Sequence, residues 1–279
     1  MLIPSFSVCM SVYHKDKAED FKSALDSVIN QTFPPTELVI VVDGPVPFEI
    51  ENVLSELCVQ ALDIKIIRLA QNQGHAVARQ TGLEHATYDL VAIMDSDDIA
   101  VPVRFEKQVK KFLQDKTLSV LGGQICEFNE QVDNLIGIRN VPVEHNEITT
   151  YLRSRCPMNQ MTVMMKKADV LAVGGYLHWF CNEDYYLWIR MFKAGYKFAN
   201  LDECLVYVRV NLALYSRRGG YNYFKSEASL QKYMLDNNII GMYKYLVNIG
   251  VRFIVQVILP NRVRGYIYST FFRKSNSAS

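Results

Sequence analysis

The sequence predicts an α/β fold organised around a parallel sheet. Four short apolar runs alternate with segments whose apolar residues recur at helical spacing, and acidic residues directly follow two of these runs. Apolar runs of this length are typical of strands that are buried on both faces of a sheet. Their alternation with helices favours right-handed crossovers, with helices on both faces. We expect this arrangement in the N-terminal half of the chain.

The hydrophobic pattern sets the order of these elements. It predicts a strand at residues 5–12, a helix at 17–30, a strand at 37–42, a helix at about 50–62, a strand at 64–69, a helix at 74–84 and a strand from Leu90. The first helix illustrates the reasoning, because Phe21, Leu25 and Val28 fall on one helical face. Pro34 and Pro35 then separate this helix from the second strand.

The fourth strand runs directly into a cluster of acidic residues. Residues 91–98 read VAIMDSDD, so Asp95, Asp97 and Asp98 follow the carboxyl end of a buried strand. Open α/β sheets bind their ligands at this edge. Carboxylates this close repel one another unless a cation or several donors offset them, which favours a divalent metal that holds a phosphorylated ligand. A solvated turn with a helix cap is the alternative for this stretch taken alone.

Two other strand ends meet the same edge of the predicted sheet. Tyr13 follows the first strand, and Asp43 begins an Asp-Gly-Pro turn after the second. Each residue alone is typical of a turn, but three strand ends at one edge predict a nucleotide site. No GxGxxG follows the first strand and no GxxxxGK[ST] occurs, which disfavours a dinucleotide-binding fold and a P-loop NTPase.

The chain beyond the acidic cluster departs from strict alternation. Pro102 fits the first turn of a further helix, and we expect Asp98 to favour the positive end of that helix. Its buried face is expected to contain Phe105, Val109 and Phe112. Residues 118–140 are strand-like and predict a second subregion of mixed strands, which would hold another substrate.

A second acidic pair begins a later helix. Glu183 and Asp184 follow Asn182, and Gly195 is the expected stop at the C-terminal end. The buried face of this helix would contain Leu187, Trp188 and Met191. Acids in a first turn are stabilised by the helix dipole, so they can be surface residues. The functional interpretation is a carboxylate that is held rigidly as a general base.

The composition excludes several classes of protein. The 279 residues suffice for one large domain or a domain with an appendage. A hydrophobic content of 49% and a net charge of +1 argue against disorder and against a strongly basic nucleic-acid binder. The six cysteines contain no CxxC pair, which fits reduced thiols in a cytosolic enzyme. The first residues resemble a strand and lack the basic region of a signal peptide.

The C-terminal segment, residues 237–279, is basic and amphipathic. It contains no Asp or Glu but includes Lys244, Arg252, Arg262, Arg264, Arg273 and Lys274. A polar stripe along its first helix would consist of Lys244, Asn248, Arg252 and Gln256. The apolar run falls short of the ~20 residues of a spanning helix. We therefore expect an interfacial helix on an anionic membrane surface, with packing on the preceding domain as the alternative.

Seven stretches of the chain occur in the order in which one enzyme family has them. They are MSVY, VVDGP, NQGHAVARQTGL, MDSDD, GGY, NEDYYLWIRMFKAGYKF and YSRRGG. Through them, almost the whole chain resembles the family 2 glycosyltransferases of the GT-A fold, and among these the O-antigen and amylovoran-type transferases of bacterial surface polysaccharides. The resemblance implies a glycosyltransferase domain at 1–236, with a donor half at about 1–115 and an acceptor half at about 116–236.

The resemblance also implies roles for single residues. The donor would be held by Tyr13, Asp43, Arg79 and Asp95, with Arg217 and Arg218 reaching its diphosphate from a loop. Asp97 would bind Mn²⁺ or Mg²⁺, and Asp184 would be the catalytic base. Glu183 and Trp179 would lie on the acceptor side. The family's commoner DDGS is replaced by Asp-Gly-Pro at residues 43–45, a departure that bears on uracil binding.

Together these roles describe an inverting hexosyltransferase. It would move galactose or glucose from a UDP-sugar to an N-acetylhexosamine on a lipid pyrophosphate, at the inner face of the cell membrane and with no nucleic-acid partner. The metal would offset charge on the departing UDP, and an ionised aspartate would accept the acceptor's proton. A nucleotidyltransferase and a non-catalytic sugar-nucleotide sensor are the alternatives. The missing basic Gly-rich loop argues against the first, and Asp184 argues against the second.

Overall fold

The structure is a computed structural model that describes residues 4–57, 62–129, 131–210 and 219–260. The strands are β1 Ser7–Val12, β2 Glu37–Asp43, β3 Asp63–Leu69, β4 Leu90–Met94, β5 Ile99–Ala100, β6 Leu118–Phe128, β7 Leu135–Arg139, β8 Met164–Lys166 and β9 Lys197–Arg209. The helices are α1 Ala18–Ile29, α2 Phe48–Ser55, α3 His75–His85, α4 Arg104–Gln114, α5 His145–Leu152, α6 Lys167–Ala172, α7 Glu183–Lys193, α8 Tyr221–Asp236 and α9 Met242–Phe253. A 3₁₀ turn spans Gln160–Thr162, and a π-helical segment, Ile254–Ile258, continues α9.

One mixed sheet runs through the described residues, in the order β3-β2-β1-β4-β8-β6-β9-β5, with β7 paired to β6. The first four strands of this order are parallel, as the sequence predicts. Strand β8 then runs antiparallel to both β4 and β6. The second half therefore contains the mixed strands that were expected there.

Helices cover both faces of the sheet, and each face has its own core. Along β1, the side chains of Val8 and Met10 pack into one core, and Cys9 between them packs into the other. Helices α1, α2 and α4 contribute to the first core, and α3, α5, α6, α7 and α8 contribute to the second. Full burial of a side chain as large as Phe105 or Trp188 contributes about 2–3 kcal/mol, so both layers are held firmly against the sheet.

Three local predictions need correction. Helix α2 ends at Ser55, and Leu62 already lies outside any helix. Pro102 lies in a turn that is closed by the hydrogen bond from the Arg104 amide to the Val101 carbonyl, so it precedes α4 instead of occupying its first turn. Asp98 does not cap α4, since β5 pairs with β9 and brings Asp98 Oδ1 within 3.0 Å of the Arg209 amide.

The end of α7 follows the sequence prediction closely. Gly195 has a φ of +82°, the left-handed conformation that glycine adopts without strain. The Gly195 amide donates to the Phe192 carbonyl and the Tyr196 amide to the Met191 carbonyl, so the two bonds close a Schellman motif. The predicted buried residues Leu187, Trp188 and Met191 are fully buried.

The polar and apolar faces of helix α9 are oriented opposite to the sequence prediction. Asn248 of α9 and Gln256 of the π-helical segment are buried members of the predicted polar stripe, and Arg252 pairs with Glu227 of α8 at 2.7 Å. These three members of the stripe therefore pack on the protein, so Arg252 does not face lipid as expected, whereas the fourth member, Lys244, is exposed. The outward face is apolar instead and contains Met242, Tyr243, Leu246, Val247, Val251, Phe253, Ile254, Val257 and Ile258. The predicted boundary at residue 236 stays a prediction, although α8 and α9 on its two sides pack together.

Among the residues that the structure describes, no helix is long and apolar enough to cross a membrane. The basic residues after Pro260 lie outside the described residues.

Candidate active site

The carboxyl ends of β1, β2 and β4 meet at one edge of the sheet. Parallel pairing sets Val12 beside Val42, and Met10 beside Met94. The residues that follow, Tyr13, Asp43 and Asp95, therefore lie along one rim. The convergence predicted from the sequence is confirmed for these three strand ends.

The Asp43 carboxylate organises the loop that precedes α3. Its Oδ1 accepts a hydrogen bond from the Gln73 amide at 2.7 Å, and its Oδ2 accepts one from the Gly74 amide at 2.9 Å. Gly44 adopts a φ of +83°, and a Cβ there would lie 2.5 Å from the Asn72 amide nitrogen. The Asp-Gly turn and the Asn-Gln-Gly loop are thus locked together, which fixes where α3 begins on the rim. The expectation that Asp43 holds uracil stays a prediction.

A cluster of carboxylates lies beside Tyr13. Asp16 accepts hydrogen bonds from Ser96 Oγ at 2.7 Å and from the Tyr13 amide at 3.1 Å, which joins the loop after β1 to the DSDD segment. Burial raises the pKa of Asp16, with the Asp95 charge adding to the effect. Asp16 was not among the site residues predicted from the sequence. Its place on the loop after β1, which ends at the same rim, was the signal that would have found it.

Asp97 is the exposed carboxylate of this cluster. Restricted hydration, followed by the charges of Asp95 and Asp16, raises the pKa of Asp97 to about 6. Within the described residues no Lys or Arg forms an ion pair with its carboxylate. The neighbouring carboxylates repel the Asp97 charge, and a divalent metal would relieve this repulsion, so the donor set fits Mn²⁺ or Mg²⁺.

No group of three or more His, Cys, Asp and Glu side chains with ligand geometry occurs in the described part of the chain.

A buried cation lies behind the acidic cluster. Arg104 is fully buried, and its Nη2 donates to the Ile93 carbonyl at 2.8 Å while its Nε donates to Gln108 at 3.1 Å. Burial lowers the pKa of Arg104 to about 9, which leaves it protonated at neutral pH. Its charge opposes the repulsion among the carboxylates at the end of β4. Arg104 was not predicted from the sequence, because an arginine in a first helical turn is typical of a surface residue.

Arg79 of α3 joins the two acidic motifs of the sequence. Its Nη1 lies 2.7 Å from Glu183 Oε1, and its Nη2 lies 3.1 Å from Asp95 Oδ1. Burial acts to lower the pKa of Arg79, but the charges of Asp95 and Glu183 outweigh it and raise the pKa. The expected role of Arg79 at the donor stays a prediction, and the structure places it between the donor rim and α7.

Asp184 lies in the first turn of α7 and remains outside that ion pair. Its Oδ1 accepts a hydrogen bond from the Tyr185 amide at 2.7 Å, and the Cys156 thiol lies 3.9 Å from its Oδ2. Burial and the neighbouring Glu183 charge raise the pKa of Asp184 to about 6, against the opposing charge of Arg79. A carboxylate with this pKa is ionised at neutral pH and more basic than an ordinary aspartate, as a general base requires.

Trp179 lies on the loop that leads into α7. Its Nε1 donates to the Ser226 carbonyl of α8 at 3.2 Å, and its ring lies 4.5 Å from that of Tyr186. The loop is therefore fastened to both helices beside the acidic pair. Arg217 and Arg218 lie outside the described residues.

Comparison with known proteins agrees with this geometry. The family described as glycosyl transferase family 2 matches residues 7–171. An uncharacterized glycosyltransferase of Haemophilus influenzae is 40% identical over 96% of this chain and 99% of its own length. The amylovoran biosynthesis glycosyltransferase AmsE of Erwinia amylovora is 33% identical over 94% of this chain and 97% of its own. An Escherichia coli enzyme named UDP-Gal:alpha-D-GlcNAc-diphosphoundecaprenol beta-1,3-galactosyltransferase is 34% identical over 97% of this chain and 98% of its own.

Solved structures share the fold at low sequence identity. The mannosyltransferase of Pyrobaculum calidifontis, in complex with GDP-Man and Mn²⁺, has a TM-score of 0.65 at 15% identity, over 94% of this chain and 72% of that one. S. aureus TarS has a TM-score of 0.64 at 17% identity, and this chain covers 43% of its length. The fold is thus that of the GT-A glycosyltransferases, and by the family match and its close relatives the chain belongs to glycosyl transferase family 2.

Proposed function

We propose that this enzyme transfers galactose or glucose from a UDP-sugar to an N-acetylhexosamine carried on a lipid pyrophosphate, with inversion, in the assembly of a bacterial surface polysaccharide. The main observation behind this proposal is Asp184, a carboxylate with a raised pKa that α7 holds beside the acidic rim. The name of the E. coli relative, which specifies a UDP-Gal donor and a GlcNAc-diphosphoundecaprenol acceptor, supports this choice of substrates. TarS, a structural neighbour, has also been solved with UDP-GlcNAc.

The donor would bind along the rim formed by the ends of β1, β2 and β4. Tyr13 and the Asp43 turn would hold the uracil, and Asp95 would contact the ribose or the sugar. Asp97 and its acidic neighbours would hold Mn²⁺ or Mg²⁺, which when bound offsets the negative charge that develops on UDP. Arg217 and Arg218 are the further proposed contacts of the diphosphate.

Asp184 would perform the proton transfer. The acceptor hydroxyl oxygen forms a bond to the anomeric carbon of the donor sugar, and its proton passes to the Asp184 carboxylate. The bond between the anomeric carbon and the phosphate oxygen breaks at the same time, and UDP leaves with the electron pair. Attack opposite the leaving group inverts the anomeric carbon, so an α-linked donor gives a β-linked product. Holding the two sugars in line supplies much of the acceleration.

The apolar outward face of α9 supports peripheral attachment to a membrane. A lipid-linked acceptor keeps its sugar at the bilayer surface, so the enzyme has to work there. Lys244 lies exposed on the same helix, and the sequence from Asn237 onward contains basic but no acidic residues, which complements an anionic bilayer surface. We therefore assign the outward face of α9 to the inner surface of the cell membrane.

The Asp184→Asn variant tests the proposed reaction. It keeps the shape of the side chain but cannot accept a proton, so transfer should fall by about 10²–10⁴-fold. Binding of the UDP-sugar, measured by calorimetry, should change little because the lost interaction belongs to the transition state. Transfer is measured by product mass with a lipid-diphosphate N-acetylhexosamine acceptor. Normal transfer by the variant would overturn the assignment of the base, and a wild-type chain that binds UDP-sugar without turnover would identify a sensor.

A further inference from the structure

An open pocket of about 520 Å³ lies between helix α8 and the loop that precedes α7. Its lining residues are Trp179, Phe180, Asn222, Lys225, Ser226 and Ser229. Two aromatic rings form one side, and polar side chains of α8 form the other. We refer to it as the α8 pocket.

The wall of the α8 pocket is held by hydrogen bonds around one buried residue. Ser226 Oγ donates to the Phe180 carbonyl and accepts from Asn182 Nδ2 at 3.1 Å. The Ser226 carbonyl accepts from Trp179 Nε1 at 3.2 Å. The loop and the helix therefore form one preorganised surface.

The chemistry of the lining suits a ligand that combines a sugar with an anion. Trp179 and Phe180 present aromatic faces, and Phe180 is 53% exposed. Lys225 is exposed at the same pocket, and none of the described residues that line it is acidic. Within the described residues Lys225 forms no ion pair, whereas Lys232, two turns further along α8, is paired with Asp236 at 2.5 Å. Among the described residues, Lys225 is therefore available to form a charge-assisted hydrogen bond with an anionic ligand.

The position of the α8 pocket links the proposed base to the apolar face of α9. Asn182, which is bonded to Ser226, directly precedes the acidic pair at the start of α7. At the first turn of α8, the Phe224 ring lies 5.4 Å from that of Phe253, and the Gly220 amide donates to the Gln256 carbonyl at 2.9 Å. A sugar diphosphate lipid that reaches from a membrane at α9 to α7 would pass this pocket.

We propose that the α8 pocket is the acceptor subsite, in which Lys225 pairs with the pyrophosphate while Trp179 and Phe180 stack against the acceptor sugar. This inference rests on the proposed function, since it concerns the same transfer reaction. The diphosphate supplies the anion that Lys225 lacks, and the pyranose offers an apolar face to the two rings. Lys225 then contacts the acceptor and makes no contact with the donor.

The Lys225→Gln variant tests the role of the cation, with Lys232→Gln as the matched control on the same helix. Two acceptors are compared, an alkyl diphosphate of N-acetylglucosamine and the same sugar on an uncharged alkyl chain. Lys225→Gln should raise KM at least ~10-fold for the diphosphate acceptor, because one charge-assisted contact is lost. It should leave kcat, the KM for the UDP-sugar and the neutral acceptor unchanged. Lys232→Gln should change none of these values, since an exposed ion pair contributes little.

Trp179 provides a readout that does not depend on turnover. The chain has two tryptophans, and Trp188 is fully buried. Titration with the diphosphate acceptor should change the tryptophan fluorescence of the wild type, and Trp179→Phe should abolish this change. A fluorescence change that survives in Trp179→Phe would overturn the proposed stacking.

The outcomes separate this subsite from the proposed function. If the wild type transfers sugar to the diphosphate acceptor and Lys225→Gln does so with the same KM, the subsite is wrong and the function stands. Equal losses on the charged and neutral acceptors would also overturn it, since Lys225 would then only support α8. If the wild type transfers only to acceptors without a diphosphate, the proposed function itself fails.

Discussion

Arg79 on α3 and Glu183 on α7 form an ion pair of 2.7 Å between residues 104 positions apart in the sequence. The second Nη of Arg79 holds Asp95 at 3.1 Å, so one guanidinium joins the donor rim to the helix that carries the proposed base. Only 10% of the Arg79 side chain is exposed, which limits screening by water. Asp184 therefore lies beside one negative charge, Glu183, and one positive charge, Arg79. Glu183 raises the pKa of Asp184, and Arg79 lowers it.

The transfer rate should depend on the protonation of Asp184. Its pKa is raised to about 6, so the active carboxylate form is present above that pH and is lost as the pH falls through it. The groups that act on Asp184 are Glu183, Arg79, Arg139 and the Cys156 thiol. We expect kcat to fall below about pH 6, measured with saturating UDP-sugar. Donor binding over the same range is the control, and a midpoint near 4 would contradict the expectation.

Charge changes at Glu183 and Arg79 should move the midpoint of the fall in kcat at low pH in opposite directions. Glu183→Gln keeps an acceptor for Arg79 but removes a negative charge, so the pKa of Asp184 and the acid limb of the rate profile should shift to lower pH. Arg79→Met removes a positive charge and should shift the limb to higher pH. The pH dependence of kcat, measured for both variants under the same conditions, tests the sign of each shift. Thermal unfolding of both variants serves as the control, and shifts in one common direction would contradict this account.

Removal of the metal should abolish transfer. Asp97→Ala should do the same, because it removes the exposed carboxylate of the acidic rim. The variant should unfold at an equal or higher temperature than the wild type when chelator is present, since one repelling charge has gone. Transfer by product mass and a melting curve, each with and without Mn²⁺, are the measurements. Full wild-type activity in excess chelator is the result that would contradict this prediction.

Membrane binding should depend on the apolar outward face of α9. Replacing Leu246 and Ile258, each 60% exposed, with Asn should weaken binding to anionic liposomes by roughly tenfold per residue. Ile136→Asn is the matched control, because Ile136 is 49% exposed on β7. Sedimentation with liposomes gives the affinities. Equal losses in the control, or no loss in the α9 variants, would contradict a lipid-facing role for α9.

Substitution on this face is a cleaner test than truncation. Deleting the chain from Asn237 would remove Arg252 and Asn248, whose bonds to Glu227 and Gln231 are part of the packing of α8. Truncation would remove these partners from Glu227 and Gln231, at about 1–3 kcal/mol each. A loss of liposome binding could then reflect damage to α8.

Hydrophobic periodicity and the positions of the strand ends determined much of the fold and of the donor rim. The alternation of apolar runs placed β1 to β4 and set them parallel, because short buried runs separated by helices have few other topologies. The same pattern placed Tyr13, Asp43 and Asp95 on one rim, since parallel strands end at the same edge. The C-terminal stop of α7 was equally local, as the φ of Gly195 demonstrates.

Contacts between distant segments were decided only by the tertiary structure. Arg79 was expected near the donor, but its partner Glu183 depends on how α7 packs against α3, which no local pattern encodes. The orientation of α9 is the clearest case. A helix with one polar stripe can direct that stripe to water or to protein. Here Asn248 donates a hydrogen bond to Gln231, and Arg252 donates to Glu227 and to the Ser154 carbonyl, so this part of the stripe faces the protein. Buried hydrogen bonds to these partners outweigh exposure of the apolar face, and the sequence of α9 alone does not contain them.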